Sequence, residues 1–250
     1  MDARAYPEMR ALEDHHWWFR GRRRCLRPLL AEALSAARAR TALEVGCGTG
    51  GNLAHFAGQF PDTRFVGLDF DAGAIRFCAE RGLAGALLRA DGTRLPLLDA
   101  SVDCLLAIDI VEHFADDRAL LAEFRRVLRP GGQLVVNVPH HPWLWSPHDA
   151  ILHHQRRYAR GELQAKLVEA GFRVERVRGF NFLLLPPIAL VRLVRARRSA
   201  RGADSGGTDF FALPAPLNAS LAGLFALENA ITRVLPVREG VSLMLRAART

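Results

Sequence analysis

Lysine is almost missing from this chain. Lys166 is the only one, so the 34 basic residues are otherwise arginine. A bias this strong reads as base composition rather than arginine-specific chemistry. Set against 26 acids it leaves a formal charge of +8, which favours an anionic substrate or an acidic membrane surface. No arginine run is interleaved with exposed aromatics as a stacking platform needs, and this argues against nucleic acid as a partner. Cysteine is sparse too: Cys25, Cys47, Cys78 and Cys104 form no C-x-x-C pair. That spacing excludes a disulfide framework and a cysteine zinc site, and suits a reducing cytoplasm. Nor does any stretch reach the ~18 uninterrupted apolar residues of a spanning helix. The N-terminus is acidic and aromatic with no apolar core, so no signal peptide is expected. The expected location is the cytoplasm, with membrane association at its inner face.

What is present is organised around residues 41–53, TALEVGCGTGGNL. These read as a short apolar strand, a glycine turn and the start of a helix. Gly46, Gly48 and Gly50 let the backbone bend and approach a ligand with no Cβ in the way. Gly46-x-Gly48-x-x-Gly51, with Asp69 downstream, fits the dinucleotide fingerprint and its ribose-binding acid. Around this turn the chain alternates. Strands are predicted at 41–45, 64–69, 86–91, 102–110, 133–138 and 172–177, and helices at 51–58, 71–81, 117–128 and 161–170. Arg129-Pro130-Gly131-Gly132 is a strong helix stop, and Gly171 another. Regular βα alternation with short connections implies an α/β fold with a doubly wound, mostly parallel sheet. At 250 residues one domain with extensions is expected.

The N-terminal part, residues 8–36, reads as helix in two pieces, with Leu12, His16 and Phe19 on one face. Trp17 and Trp18 are adjacent. Helical neighbours sit ~100° apart, so one ring is expected on the domain and the other over something else: the segment is either a lid over cofactor or acceptor, or a packed N-terminal helix with a solvated arginine end.

Taken together, Glu44-x-Gly46-x-Gly48-x-Gly50, Asp69, Asp91-Gly92, Asp109-Ile110-Val111-Glu112-His113-Phe114 and Arg129-Pro130-Gly131-Gly132 resemble the motifs of the class I S-adenosylmethionine (SAM) methyltransferases. The resemblance covers roughly residues 40–180, with a last strand near 241–248. It implies a Rossmann-like, seven-stranded sheet whose last two strands are an antiparallel pair, with SAM as cofactor. It also implies that Asp69 binds the ribose hydroxyls, that Asp91, beside Gly92, receives the adenine amino group, and that the segment from Asp109 borders the sulfonium. Glu44, Gly46, Gly48 and Gly50 complete the expected cofactor set. The expected divisions are an N-terminal helical cap at 1–39, a cofactor-binding core at 40–180, an apolar helical insertion at 181–240 and the last strand at 241–250.

After strand five, five histidines and Asp149 fall within residues 140–154. Their spacing is not that of a metal site, and no metal is expected. For a hydroxyl acceptor a histidine would serve as base; His113, His153 and His154 are the candidates. Trp18, His148, Arg156, Arg157 and Tyr158 are the candidates for acceptor binding. The insertion joins an apolar stretch at 180–194, broken by Pro186-Pro187, to Arg192, Arg195, Arg197, Arg198 and Arg201. A Gly/Ser-rich stretch at 199–208 reads as a mobile linker, and 216–235 as an amphipathic helix. Apolar surface flanked by arginines fits a lipid-linked or otherwise hydrophobic acceptor, or peripheral contact with an anionic membrane. O-methylation is the favoured reaction. An NAD-dependent oxidoreductase on a similar fold and a non-catalytic SAM-binding protein at a membrane are the alternatives. The first would leave Glu44, Asp91 and the 109–113 segment unexplained.

Overall fold

A computed structural model describes residues 5–199 and 213–250. Within them lie strands β1 (Thr41–Val45), β2 (Arg64–Asp69), β3 (Leu87–Arg89), β4 (Val102–Ile108), β5 (Leu128–Pro139), β6 (Phe172–Phe180) and β7 (Ser242–Arg249). The helices are α1 (Ala5–Leu12), α2 (Trp17–Ala37), α3 (Gly51–Gln59), α4 (Ala72–Cys78), α5 (Asp117–Val127), α6 (Pro147–Ile151), α7 (Arg160–Glu169), α8 (Leu185–Ser199) and α9 (Ala215–Val234).

The strands form one sheet in the order β3-β2-β1-β4-β5-β7-β6. The first five are parallel, and β7 runs antiparallel between β5 and β6. β4 shows why the sheet is covered on both faces: every residue except Asp103 is buried, the signature of a parallel strand between two helical layers. One layer packs α5 and α7 on the sheet through Leu120, Phe124, Leu163 and Leu167. The other packs α2, α3 and α9 through Leu26, Leu30, Phe56 and Phe225. β1 pairs with β2 on one side and β4 on the other. The order of strands reverses there, and a crevice opens beyond their carboxyl ends.

Local chemistry sets the helix starts. Asp71 Oδ1 accepts from the backbone of Gly73 and Ala74 ahead of α4. Asp116 Oδ1 accepts from Ala119 N at the start of α5. Gly171, at φ +83°, ends α7.

Several expectations need correcting. Leu12 closes α1 whereas His16 is the N-cap of α2, so the supposed single face of Leu12, His16 and Phe19 spans a break. The helix expected at 71–81 is interrupted after Cys78 by a wide turn with Gly82 at φ +83°. Pro186 and Pro187 do not break the apolar stretch. They occupy the first turn of α8, where a missing N–H is harmless. The linker expected at 199–208 lies, beyond Ser199, outside the described residues.

Candidate active site

The crevice is a cavity of ≈ 940 Å³ that runs from the glycine turn to α8. At the end of β1 the chain must turn steeply. Gly46 does so at φ +73°, and a Cβ there would lie 2.6 Å from Ile110 Cδ1. Gly48 has φ +54°, and its N–H donates to Asp69 Oδ2 at 2.9 Å. Both line the cavity; Gly50 sits behind them as the N-cap of α3, against Cys78. Glu44 is also behind the turn. It is buried, and Oε1 accepts from Asn52 Nδ2 at 3.0 Å while Oε2 has no partner. Burial pushes its carboxyl up to about 7.

Asp69 closes β2 with its carboxylate over the turn. Oδ1 accepts from Asp71 N and Oδ2 from Gly48 N, each at 2.9 Å. Burial raises its pKa. A carboxylate has about four acceptor positions, so acceptor capacity remains for a diol. Asp91 lines the same end beside Gly92, where a Cβ would crowd Leu120 and Phe114. Hydrogen bonds from the backbone and hydroxyl of Thr93 hold Asp91 below the usual carboxylate range.

The N-terminal helices roof this end. Tyr6 and Met9 of α1 and Glu13 line the cavity. Glu13 accepts from Thr49 Oγ1 at 2.5 Å and from Arg81, and presses on Gly51 at the start of α3. Arg22 of α2 is ion-paired with Asp109, which also accepts from Asn137 Nδ2. Asp109 has φ +52°, a conformation uncommon outside glycine; these two partners hold it there. Trp18 lines the cavity as well. The expectation that only one tryptophan packs on the domain is corrected. Trp17 stacks on Phe225 at 5.1 Å, and Trp18 packs on Phe180 at 5.2 Å and Phe225 at 6.1 Å. Phe225 of α9 lies where it meets both rings.

The far end is polar at its base. Glu112, His113, His148, His154 and Arg157 line it. Glu112 is fully buried with neither oxygen hydrogen-bonded, and burial raises its pKa well above the ordinary value. Burial also drives the His113 imidazole down to about 3. His154 Nδ1 lies 3.1 Å from Asp149 Oδ1. Asp149 is fixed by the Ser146 backbone, Arg157 and Arg192. Burial pushes its carboxyl up, but the His154 hydrogen bond and the arginines outweigh this and hold it low.

Besides Glu44 and Gly50 behind the turn, three residues predicted for catalysis or acceptor binding lie elsewhere. Arg156 turns away from the cavity to the Ala115 carbonyl and Asp117. Tyr158 is buried in the core, its hydroxyl donating to Asp117 at 2.6 Å. His153 is exposed and outside the lining. Sequence patterning gave no sign of Glu13 or Arg22, whose partners are 36 and 87 residues away. Glu112 could have been found from its place two residues beyond Ile110 in the strand-four loop.

The donor set suits SAM. Asp69 keeps acceptor capacity at the cavity, Asp91 lines the same end, and the glycine turn leaves room that a side chain would fill. The comparisons agree. Residues 43–136 match the family model described as "Methyltransferase domain". A probable S-adenosylmethionine-dependent methyltransferase from Mycolicibacterium smegmatis is 33% identical over 168 residues, covering 66% of this chain and 62% of that protein. A fatty-acid O-methyltransferase from the same organism is 37% identical over 92 residues, 36% of this chain and 34% of that one. The chain thus spans less than two thirds of these relatives' length. The fold is that of a SAM-dependent methyltransferase from Archaeoglobus fulgidus, with TM-score 0.57 at 16% identity over 90% of this chain and 91% of that one.

Proposed function

We propose that this protein, whose residues 43–136 match a methyltransferase domain, is a class I SAM-dependent methyltransferase that transfers a methyl group to an oxygen of a hydrophobic acceptor. The observation that carries this is the two-ended cavity. Its cofactor end is built from the glycine turn, Asp69 and Asp91. Its other end is walled by Leu184, Pro187, Ile188 and Val191 of the α8 segment and Leu221 of α9. Bound SAM supplies a methyl group on a positively charged sulfur. The chain's own part is to align two reactants and exclude water, worth several kcal/mol of barrier. Asp69 would hold the ribose hydroxyls and Asp91 the adenine amino group. The Arg22–Asp109–Asn137 brace fixes the segment between cofactor and acceptor. The apolar wall takes the acceptor's chain, and Glu112, His113 and His154 receive its polar end. The name of the fatty-acid O-methyltransferase relative supports an acceptor of this kind.

Contact with a membrane is favoured by a separate observation. Leu190, Val191, Leu193 and Val194 of α8 are exposed, as are Leu217 and Leu227 of α9. They border the helices that wall the acceptor end. An inner-face location in the cytoplasm follows from this reading. The test of the proposal is transfer of labelled methyl from SAM to long-chain fatty acids and to hydroxylated lipids. Organic-soluble label that vanishes in Asp69→Ala is the expected result. Label appearing only in small polar acceptors would contradict it.

A further inference from the structure

Residues 112–113 and 154 are distant in sequence and carry no metal-ligand spacing, yet the fold brings them together. Val111–His113 is a single tight turn after β4, and His154 follows α6. One ligand atom from each of Glu112, His113 and His154 can be chosen so that all lie within 4.8 Å of one another. All three side chains line the cavity's polar end.

We propose that these three residues bind a divalent transition-metal ion at the acceptor end of the site. Three observations support it. First, Glu112 is fully buried and neither carboxylate oxygen has a hydrogen-bond partner. A buried carboxylate without partners is costly. Arg157 and Arg22 favour its charged form only from a distance: neither hydrogen-bonds to it, Arg22 being paired with Asp109 and Arg157 with Asp149. The nearest ring nitrogen, His154 Nε2, stands 3.9 Å from Oε1. An ion between them would supply the missing partner to both oxygens or to one.

Second, His154 has the outer contact expected of a metal ligand. Its Nδ1 faces Asp149 Oδ1 at 3.1 Å, which directs Nε2 toward Glu112. A carboxylate on the far nitrogen fixes the ring's tautomer and orientation and makes it a better donor. Asp149 is itself held by the Ser146 backbone at 2.9 Å and Arg157 Nε at 2.8 Å. Third, the His113 and His154 rings stand edge to face at 4.8 Å, so the two donors come from different directions. Ligand atoms around one such ion sit roughly 3.4 Å apart. Binding would require the two rings and the carboxylate to move inward by that difference.

Two imidazoles and one carboxylate suit zinc, manganese, iron(II) or cobalt better than magnesium or calcium, which prefer oxygen alone. The three residues line the cavity, so an ion held by them would be open to an acceptor. There an ion would hold an acceptor oxygen and lower its proton affinity. The inference deepens the proposed O-methyl transfer and rests on that reading for its purpose, but not for its test. The other grouping among the described residues, His140, His141 and Glu239, lacks this character because Glu239 is 57% exposed.

The experiment is calorimetric titration of the full chain, stripped with chelator, with Zn²⁺, and in parallel with Co²⁺ followed by visible absorption. Mg²⁺ is the control, and SAM affinity is measured on the same samples. Expected are one Zn²⁺ per chain, a cobalt d–d band, and affinity weakened at least tenfold in Glu112→Gln and in His154→Gln. Asp149→Asn should weaken it by 10–100-fold, and His153→Ala should leave it unchanged. The SAM affinity of the variants should stay near that of the parent, which shows that they fold. Absence of Zn²⁺ and Co²⁺ binding, or binding indifferent to both Glu112→Gln and His154→Gln, would overturn the inference. If SAM binds and metal does not, only this inference fails. If metal binds and SAM does not, the methyl-transfer reading fails and the metal site stands.

Discussion

Asp69 has its two oxygens already positioned by the N–H groups of Gly48 and Asp71, so it is aimed before any ligand arrives. Removing it should weaken SAM binding by more than tenfold, because the diol loses a charged acceptor, worth about 1.5–3 kcal/mol per hydrogen bond. Asp69→Ala should still fold. Titration calorimetry beside a melting curve checks both; unchanged affinity would remove the ribose assignment. Glu44 gives a different readout. Its carboxyl rises from an ordinary 4.5 to about 7, mainly by burial, with Asn52 and Arg22 opposing the rise and Glu13 and Asp69 adding to it. Between those values the folded state holds more proton than the unfolded one. Stability should therefore fall as pH rises from about 4.5 to about 7, then level off, by roughly 3 kcal/mol. Denaturant unfolding across that window checks this, and Glu44→Gln should flatten the slope. At this scale Gly46, Gly48, Asp69 and Asp91 were legible as cavity positions, because each lies at or just beyond the end of a strand in a repeating βα pattern, whereas Glu44 and Gly50 lie behind the turn. Glu13 and Arg22 were not, since only the packing of α1 and α2 onto the crevice gives them partners.

Helix α9 holds the roof of the site. Phe225 stacks on Trp17 and Phe180 and also touches Trp18, so one side chain ties α2, β6 and the insertion together. A Cβ on Gly21 would lie 2.4 Å from the Phe225 ring, which explains a glycine within α2 at that crossing. Phe225→Ala should cost about 3–5 kcal/mol and loosen the N-terminal helices first. Limited proteolysis should then cut before residue 38 sooner than in the core; uniform cutting would place the roof's anchor elsewhere. Helix α9 was legible from its apolar periodicity, whereas the α8 region showed only as an apolar stretch. Their partners were not, because hydrophobic spacing marks a buried face without saying what covers it. The adjacent tryptophans illustrate this. Their ~100° separation argued for one packed ring, but a phenylalanine from a helix some 200 residues away meets both.

For the whole molecule, the fold followed from alternation and short connections. The antiparallel position of β7, inserted between β5 and β6, came only with the family resemblance, since no local signal pairs two strands across sixty residues. No helix among the described residues is long and apolar enough to cross a membrane. With a net charge of +8 and exposed apolar residues on α8 and α9, the protein should float with anionic liposomes at low salt. It should release as ionic strength rises and surface charges are screened. Failure to float with anionic vesicles at any salt would confine the apolar faces to acceptor binding or to contacts between protein surfaces. The central claim is the cofactor, and parallel calorimetric titration of the purified chain with SAM, its demethylated product and NAD tests it most directly. Micromolar binding of SAM and product with none of NAD is the predicted result. Binding of NAD alone would contradict it.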